Sequence, residues 1–348
     1  MGGNYFKLGN GRLPKKEYLA IENELRAILD RCFGKDMYCI PRYYGDKADF
    51  GDLDIILSNN AIAGEDASLD NGEALRAELV KLLGIKQFGK TGHLFTTVFH
   101  NFQVDFFFTP HQNMLPRRSS FDFNDLGNII GRMLRAFHLK YSESGLFFAY
   151  QRTKETGYKS DLFVSADWKK ILTFLGIRYE KWLSGFDSLE EMFDWVVESP
   201  YFDSKPYLDP DPRVIKRLCG SRTTVRKFIE YIGRRKINHE FTYDAGRKDC
   251  VDMVEDQFPG SNLASKVQKE QQQEEVDEQR KKEDALVKAK FNGKLVLEWI
   301  PELKREALGR FMDKIRSEHS RDQLLSMSSA AIKEDVLKRA ESMGIHSR

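Results

Sequence analysis

Arg42-Tyr-Tyr-Gly-Asp-Lys-Ala-Asp-Phe-Gly-Asp-Leu-Asp-Ile-Ile-Leu57 is a glycine-punctuated turn that leads into a strand opening with two acids, two residues apart. Strand side chains alternate between faces, so Asp52 and Asp54 point one way while Leu53, Ile55 and Leu57 point into a core. Side-by-side carboxylates repel, and leaving both unpartnered beside an apolar strand is costly. A bound cation relieves both problems. Mg²⁺ suits the arrangement because it takes a few carboxylates together with waters and substrate phosphates.

Phosphoryl transfer with two metal ions calls for a further acid on a neighbouring strand. Phe102-Gln-Val-Asp-Phe-Phe-Phe108 supplies it, Asp105 being the one charge in an otherwise apolar run. An acid in such a strand is uncommon unless it is paired, hydrogen-bonded or bound to metal. Taken separately, Asp52 and Asp54 could be a solvated strand edge and Asp105 a turn cap. Taken together they are the candidate catalytic residues and metal ligands, for two Mg²⁺ ions with Mn²⁺ as the substitute.

These two segments carry a resemblance. Gly51-Asp-Leu-Asp-Ile-Ile-Leu57 resembles the paired-acid motif of the DNA polymerase beta nucleotidyltransferase superfamily, and Val104-Asp-Phe-Phe-Phe108 is similar to its third-acid strand. The resemblance implies that Asp52 and Asp54 ligate both metals, while Asp105 holds the catalytic metal and helps activate an attacking 3′-hydroxyl. Leu139-Lys-Tyr-Ser-Glu-Ser-Gly-Leu146 looks like the helix-to-hairpin segment that follows the palm sheet in template-using members. Phe291-Asn-Gly-Lys-Leu-Val-Leu-Glu-Trp299 and the following Leu303 to Ile315 resemble the C-terminal tails of tRNA nucleotidyltransferases and poly(A) polymerases.

One departure stands out. Where the superfamily carries a Gly-Ser pair about ten residues before its acids, this chain has Ile40-Pro41. Arg42, Gly45 and Lys47 are the local candidates for receiving a nucleoside triphosphate, a turn backbone beside two cations. Solvated surface cations are the alternative reading of Arg42 and Lys47. Lys90, His93, Arg152, Lys154 and Lys159 are weaker candidates of the same kind.

Around these motifs the pattern reads as α/β. Apolar residues at helical spacing predict helices from Pro14 to Phe33 and from Gly72 to Leu83. Strands are expected at Met37 to Tyr44, Asp52 to Ser58, Leu94 to Phe99 and Phe102 to Thr109, the last two joined by a His100-Asn101 turn. A helix is expected from Phe123 to Leu139, then a hairpin pairing Leu146-Phe147-Phe148 with Leu162-Phe163-Val164. Further helices follow at Ala166 to Leu175 and Ser188 to Glu198, where Ser188 and Glu191 suggest a capping box. The expected architecture is a polymerase beta-like nucleotidyltransferase palm with a mixed sheet, a mostly helical domain, and a helical tail. The expected domains are a catalytic domain over 1–120, a mostly helical second domain over 121–262, a charged linker or helix over 263–290, and a small helical tail over 291–348.

The 348 residues carry a formal net charge of only +2. Between Arg213 and Lys248, however, eleven Lys or Arg face three acids, an excess of eight positive charges of the kind that polyanions recognise. Arg213, Lys216, Arg217, Arg222, Arg226, Lys227, Arg234, Arg235 and Lys236 are the candidate nucleic-acid contacts, with a solvated basic helix as the alternative. Cys32, Cys39, Cys219 and Cys250 lack zinc-ligand spacing and read as structural thiols. No apolar run of membrane-spanning length and no signal-peptide layout is present, so a cytoplasmic protein without membrane partners is expected.

The sequence thus points to transfer of a nucleoside monophosphate from an NTP or dNTP to a DNA or RNA 3′-hydroxyl, releasing pyrophosphate. Three rivals stand beside it. The acceptor could be a tRNA 3′ end, it could be a protein or small molecule, or the chain could bind nucleic acid without catalysis.

Overall fold

The computed structural model describes residues 5, 6, 8, 11–62, 71–151, 159–208, 222–241 and 247–345. The chain divides into two compact units, one of residues 1–150 with 159–266 and one of residues 151–158 with 267–348. The protein is a mixed α/β structure with a helical C-terminal region.

The first unit is built on a five-stranded sheet. Its strands are β2 (Tyr38–Cys39), β4 (Leu53–Ser58), β5 (Phe88–Thr91), β6 (Leu94–Phe99) and β7 (Phe102–Thr109), in the order β2-β4-β7-β6-β5. β4 and β7 run parallel and the other pairs antiparallel. A two-residue ladder joins β1 (Leu13–Pro14) to β3 (Asp49–Phe50) just ahead of β4. Helix α1 (Lys15–Cys32) buries Tyr18, Ile21, Leu25 and Leu29, one stripe at helical spacing. α2 (Asn71–Leu83) adds Leu75 and Leu79 to the same core. That core takes the face of the sheet carrying Leu53, Ile55, Leu57, Val104, Phe106 and Phe108. The alternate residues, Asp54 and Asp105 among them, are therefore left to the other face.

Several expectations change in detail. The strand expected from Met37 to Tyr44 is only two residues long, because Pro41 has no N–H for a ladder and the Arg42 N–H donates to Asp122 Oδ1 at 2.7 Å. β5 was not expected, since Gly89 and Lys90 disguise a short edge strand. The His100-Asn101 turn forms as read, both residues having positive φ (48° and 60°), with Phe99 opposite Phe102.

The helix expected from Phe123 to Leu139 is replaced by α3 (Met114–Phe121), α4 (Leu126–Leu134) and a 3₁₀ turn at Arg135–Phe137. Phe123 and Asn124 both adopt left-handed backbone (φ 60° and 62°), which no continuous α-helix accommodates. Leu139 belongs to a strand, and β8 (Leu139–Ser142), β9 (Gly145–Gln151) and β10 (Lys159–Ser165) make a three-stranded sheet in the order β10-β9-β8. Next come α5 (Trp168–Phe174), α6 (Tyr179–Ser184), α7 (Leu189–Val197) and α8 (Lys205–Leu208). Ser188 caps α7 by accepting the Glu191 N–H at 3.1 Å, but the Glu191 carboxylate takes the Asp187 N–H rather than closing a capping box. The helix Thr223–Arg235 packs inward through Val225, Phe228, Tyr231 and Ile232.

In the second unit, short helices at Gly293–Trp299, Arg305–Glu318, Arg321–Ser326 and Ser329–Ser342 enclose Val296, Ile300, Phe311, Ile315, Ile332 and Val336. The charged stretch before them is helical, part of the 28-residue helix Leu263–Lys290, in which Val276 and Leu286 are exposed. No helix among the described residues is long and apolar enough to cross a membrane.

Candidate metal centre

The register of the sheet assembles the acids. Asp54 on β4 stands opposite Asp105 on β7, and Asp105 stands opposite Thr96 on β6. Partners in register share a face, so the parallel pair brings two carboxylates together directly and Asp52 joins them from the residue preceding β4. Asp52, Asp54 and Asp105 each offer an oxygen lying within 4.8 Å of the others. Among the described residues they form a cluster able to hold a metal ion.

The electrostatics fit a cation. Burial lifts the Asp54 carboxyl well above the usual range, and the charges of Asp52 and Asp105 lift it further. Burial pushes Asp105 up to about 6, with hydrogen bonds from Thr96 and Gln103 opposing the rise and the charge of Asp52 adding to it. Like charges held this close favour protonation of one or binding of a positive ion. Three carboxylates are a hard oxygen donor set, suited to Mg²⁺ or Mn²⁺.

Asp52 and Asp54 open onto a cavity of ≈ 710 Å³ that is also lined by Lys47, Asn124, Asp125 and Arg222. Asp105, 7% exposed, stands outside that lining. Lys47 lies over the Phe50 ring at 4.2 Å and donates to Asn124 Oδ1 at 3.1 Å. Burial lowers its amine to about 8, with Asp52 and Asp54 working to keep it charged.

The other two residues expected to meet the triphosphate have different partners. Arg42 lines the cavity, but its guanidinium pairs with buried Asp122 at 2.8 Å and donates to the carbonyls of Trp182 and Leu183 at 2.9 and 2.8 Å. It also lies over the rings of Trp182 and Phe123, at 4.2 and 4.7 Å. The Gly45 N–H donates to the Phe186 carbonyl at 2.8 Å, and the Gly45 carbonyl accepts from Lys15. A Cβ at Gly45 would stand 2.7 Å from the Asp187 carbonyl oxygen, so glycine is there to let two backbones touch. Both residues fasten the turn to the segment before α7.

Of the basic stretch, Arg213, Lys216 and Arg217 lie outside the described residues, as do Arg152, Lys154 and Cys219. Arg222 reaches the cavity and pairs with Asp125 at 2.9 Å. Arg226, Lys227 and Lys236 are exposed, whereas Arg234 and Arg235 share Glu190. A second depression of ≈ 460 Å³ has Arg12, Lys47, Asn124, Thr223 and Thr224 in common with the first and adds Lys227. The basic helix and the acid site thus border neighbouring hollows that share wall residues. Lys90 pairs with Glu73 at 3.2 Å, exposed His93 lies in a turn, and neither lines these cavities. Cys32, Cys39 and Cys250 are free thiols, and burial pushes Cys39 up to about 12.

Sequence reading missed Asn124, Asp125, Thr96 and Gln103. Single polar residues leave no periodic signal, and only the fold shows what they touch.

Part of the chain is similar to two solved structures of Leishmania infantum polymerase beta. One is its ternary P/T complex, at 18% identity and a TM-score of 0.38 over 50% of this chain and 77% of that one. The other is its ternary gap complex, at 19% identity and a TM-score of 0.34 over 43% of this chain and 55% of that one. No family model and no curated protein matches the sequence.

Proposed function

We propose that the first unit carries a nucleotidyltransferase palm, which moves a nucleoside monophosphate from a triphosphate to a 3′-hydroxyl of DNA or RNA and releases pyrophosphate. The observation that carries this reading is the convergence of Asp52, Asp54 and Asp105 beside a cavity lined by half-buried Lys47. Residues 1–120 are then the catalytic domain and 121–262 the part that receives the acceptor.

Asp52 and Asp54, facing the cavity, would hold two divalent cations, with Asp105 completing the site of the catalytic one. Bound there, the ions would neutralise charge on the reacting phosphate and lower the pKa of the attacking hydroxyl. Lys47 places a positive charge at the cavity wall for the phosphates, in place of the missing Gly-Ser pair. Arg222 lines the cavity and Lys227 the depression next to it, and with exposed Arg226 they would track an acceptor backbone, which fixes position rather than sequence.

The test is to incubate the protein with end-defined DNA and RNA strands, single-stranded or paired, and each α-labelled triphosphate in turn with Mg²⁺ or Mn²⁺. Label joined to a 3′ end, with equimolar pyrophosphate, is expected. Label on the protein itself would point to a protein acceptor, and no transfer at all would reject the reading.

A further inference from the structure

A single transverse row crosses four strands of the sheet. Gly89 on β5 stands opposite Thr96 on β6, Thr96 opposite Asp105 on β7, and Asp105 opposite Asp54 on β4. These residues share one face, so whatever lies on Gly89 lies on the face of the third acid, with Thr96 between them. The ring of Tyr5 lies there. A Cβ built on Gly89 would overlap the hydroxyl end of that ring, so the glycine leaves a seat for it.

The backbone of the same residue is tied to the acid. The Tyr5 N–H donates to Gln103 Oε1 at 3.0 Å. Gln103, buried at 5% exposure, donates through Nε2 to both oxygens of Asp105, at 3.1 and 3.0 Å. A side-chain amide has an acceptor end and a donor end, and the carboxylate can only accept. An N–H holding the acceptor end therefore turns the donor end toward Asp105. Without it the amide could rotate and set its oxygen against the carboxylate, an arrangement that repels.

We propose that Tyr5 is a working part of the metal centre, orienting Gln103, which in turn positions Asp105 for the ion. This rests on the reading of the three aspartates as metal ligands. Metal ligands are commonly oriented by outer hydrogen-bond partners, whose loss weakens metal affinity by about 10- to 100-fold. Gln103 and Tyr5 are positioning residues here.

The experiment is Mn²⁺ titration of the full chain by electron paramagnetic resonance, with no nucleotide, alongside thermal unfolding. Gln103→Met keeps the volume and removes the donor, so Mn²⁺ affinity should fall by at least about 10-fold. Tyr5→Pro deletes the N–H, and Gly89→Ala fills the seat of the ring. Each should weaken Mn²⁺ binding by about 3- to 10-fold, the worth of one net hydrogen bond, with little change in melting temperature. Tyr5→Phe keeps both ring and N–H and should bind like the native protein. If the native protein binds no Mn²⁺, the metal reading itself fails and this inference with it. If the native protein binds and all three weakened variants bind within two-fold of it, the metal reading stands and the role of Tyr5 and Gln103 is refuted. Should Gln103→Met fail to fold, Tyr5→Pro and Gly89→Ala decide the matter.

Discussion

Asp54 and Asp105 occupy opposed positions of the parallel pair β4 and β7, so the register of one strand pair sets the spacing of two carboxylates. A one-residue slip would send one of them to the other face. Replacing Asp54 or Asp105 by Asn removes a negative charge from a crowded site, so it should abolish nucleotide transfer while leaving the metal-free fold intact or more stable. Turnover above about a tenth of native in Asp105→Asn would contradict its role, since metal positioning supplies several kcal/mol to such reactions.

The same crowding sets a pH dependence. Burial raises Asp105 to about 6 in the fold, against about 3.9 in an unfolded chain. Between those values the folded state holds a proton that the unfolded state has released, so stability falls as pH rises through that window. Melting of the metal-free protein from pH 4 to 6.5 should show a loss, relative to Asp105→Asn, of up to about 3 kcal/mol. Saturating Mn²⁺ should remove that loss near neutral pH. Parallel curves for the two proteins would contradict it.

Arg42 and Asp122 make a different test. Removing the guanidinium leaves a fully buried carboxylate without its main partner, a change of about 3–5 kcal/mol in comparable pairs. Arg42→Ala should therefore appear as a fall in the midpoint of urea unfolding. A variant with native stability and weakened triphosphate binding would return Arg42 to the role of a phosphate ligand.

Lys47→Gln should have the opposite profile. Its stability should change little and the KM for triphosphate should rise by about 10-fold or more, the worth of a hydrogen bond to a charged group. An unchanged KM in steady-state kinetics would exclude Lys47 from phosphate binding.

For the acceptor, Arg226→Gln with Lys227→Gln should reduce the slope of log affinity against log salt by about 1.4 to 1.8, two contacts at 0.7 to 0.9 each. Changing Arg234 and Arg235 should do less, because Glu190 already meets their charge. Equal effects from the two pairs, measured by fluorescence anisotropy, would contradict that ranking.

Much of this was legible in the sequence because it rests on local alternation. The two-residue spacing of Asp52 and Asp54 shows which face they share, and a lone acid in Phe102–Thr109 marks Asp105. The His100-Asn101 turn was readable for the same reason. What could not be read depends on distant pieces of chain. Nothing near Arg42 announces Asp122, eighty residues on, or the Trp182 ring that covers it. Nor does anything near Gly45 announce the Asp187 backbone that it touches. The left-handed pair Phe123 and Asn124 broke a helix that hydrophobic periodicity alone extends, and its polar member is the one that meets Lys47.

The most direct measurement is anomalous X-ray diffraction from crystals soaked with Mn²⁺ and a non-hydrolysable triphosphate. Two manganese peaks about 3.5 to 4 Å apart are expected, bounded by Asp52, Asp54 and Asp105 with phosphate oxygens completing the coordination. A triphosphate bound elsewhere, with no manganese among the three aspartates, would contradict the assignment.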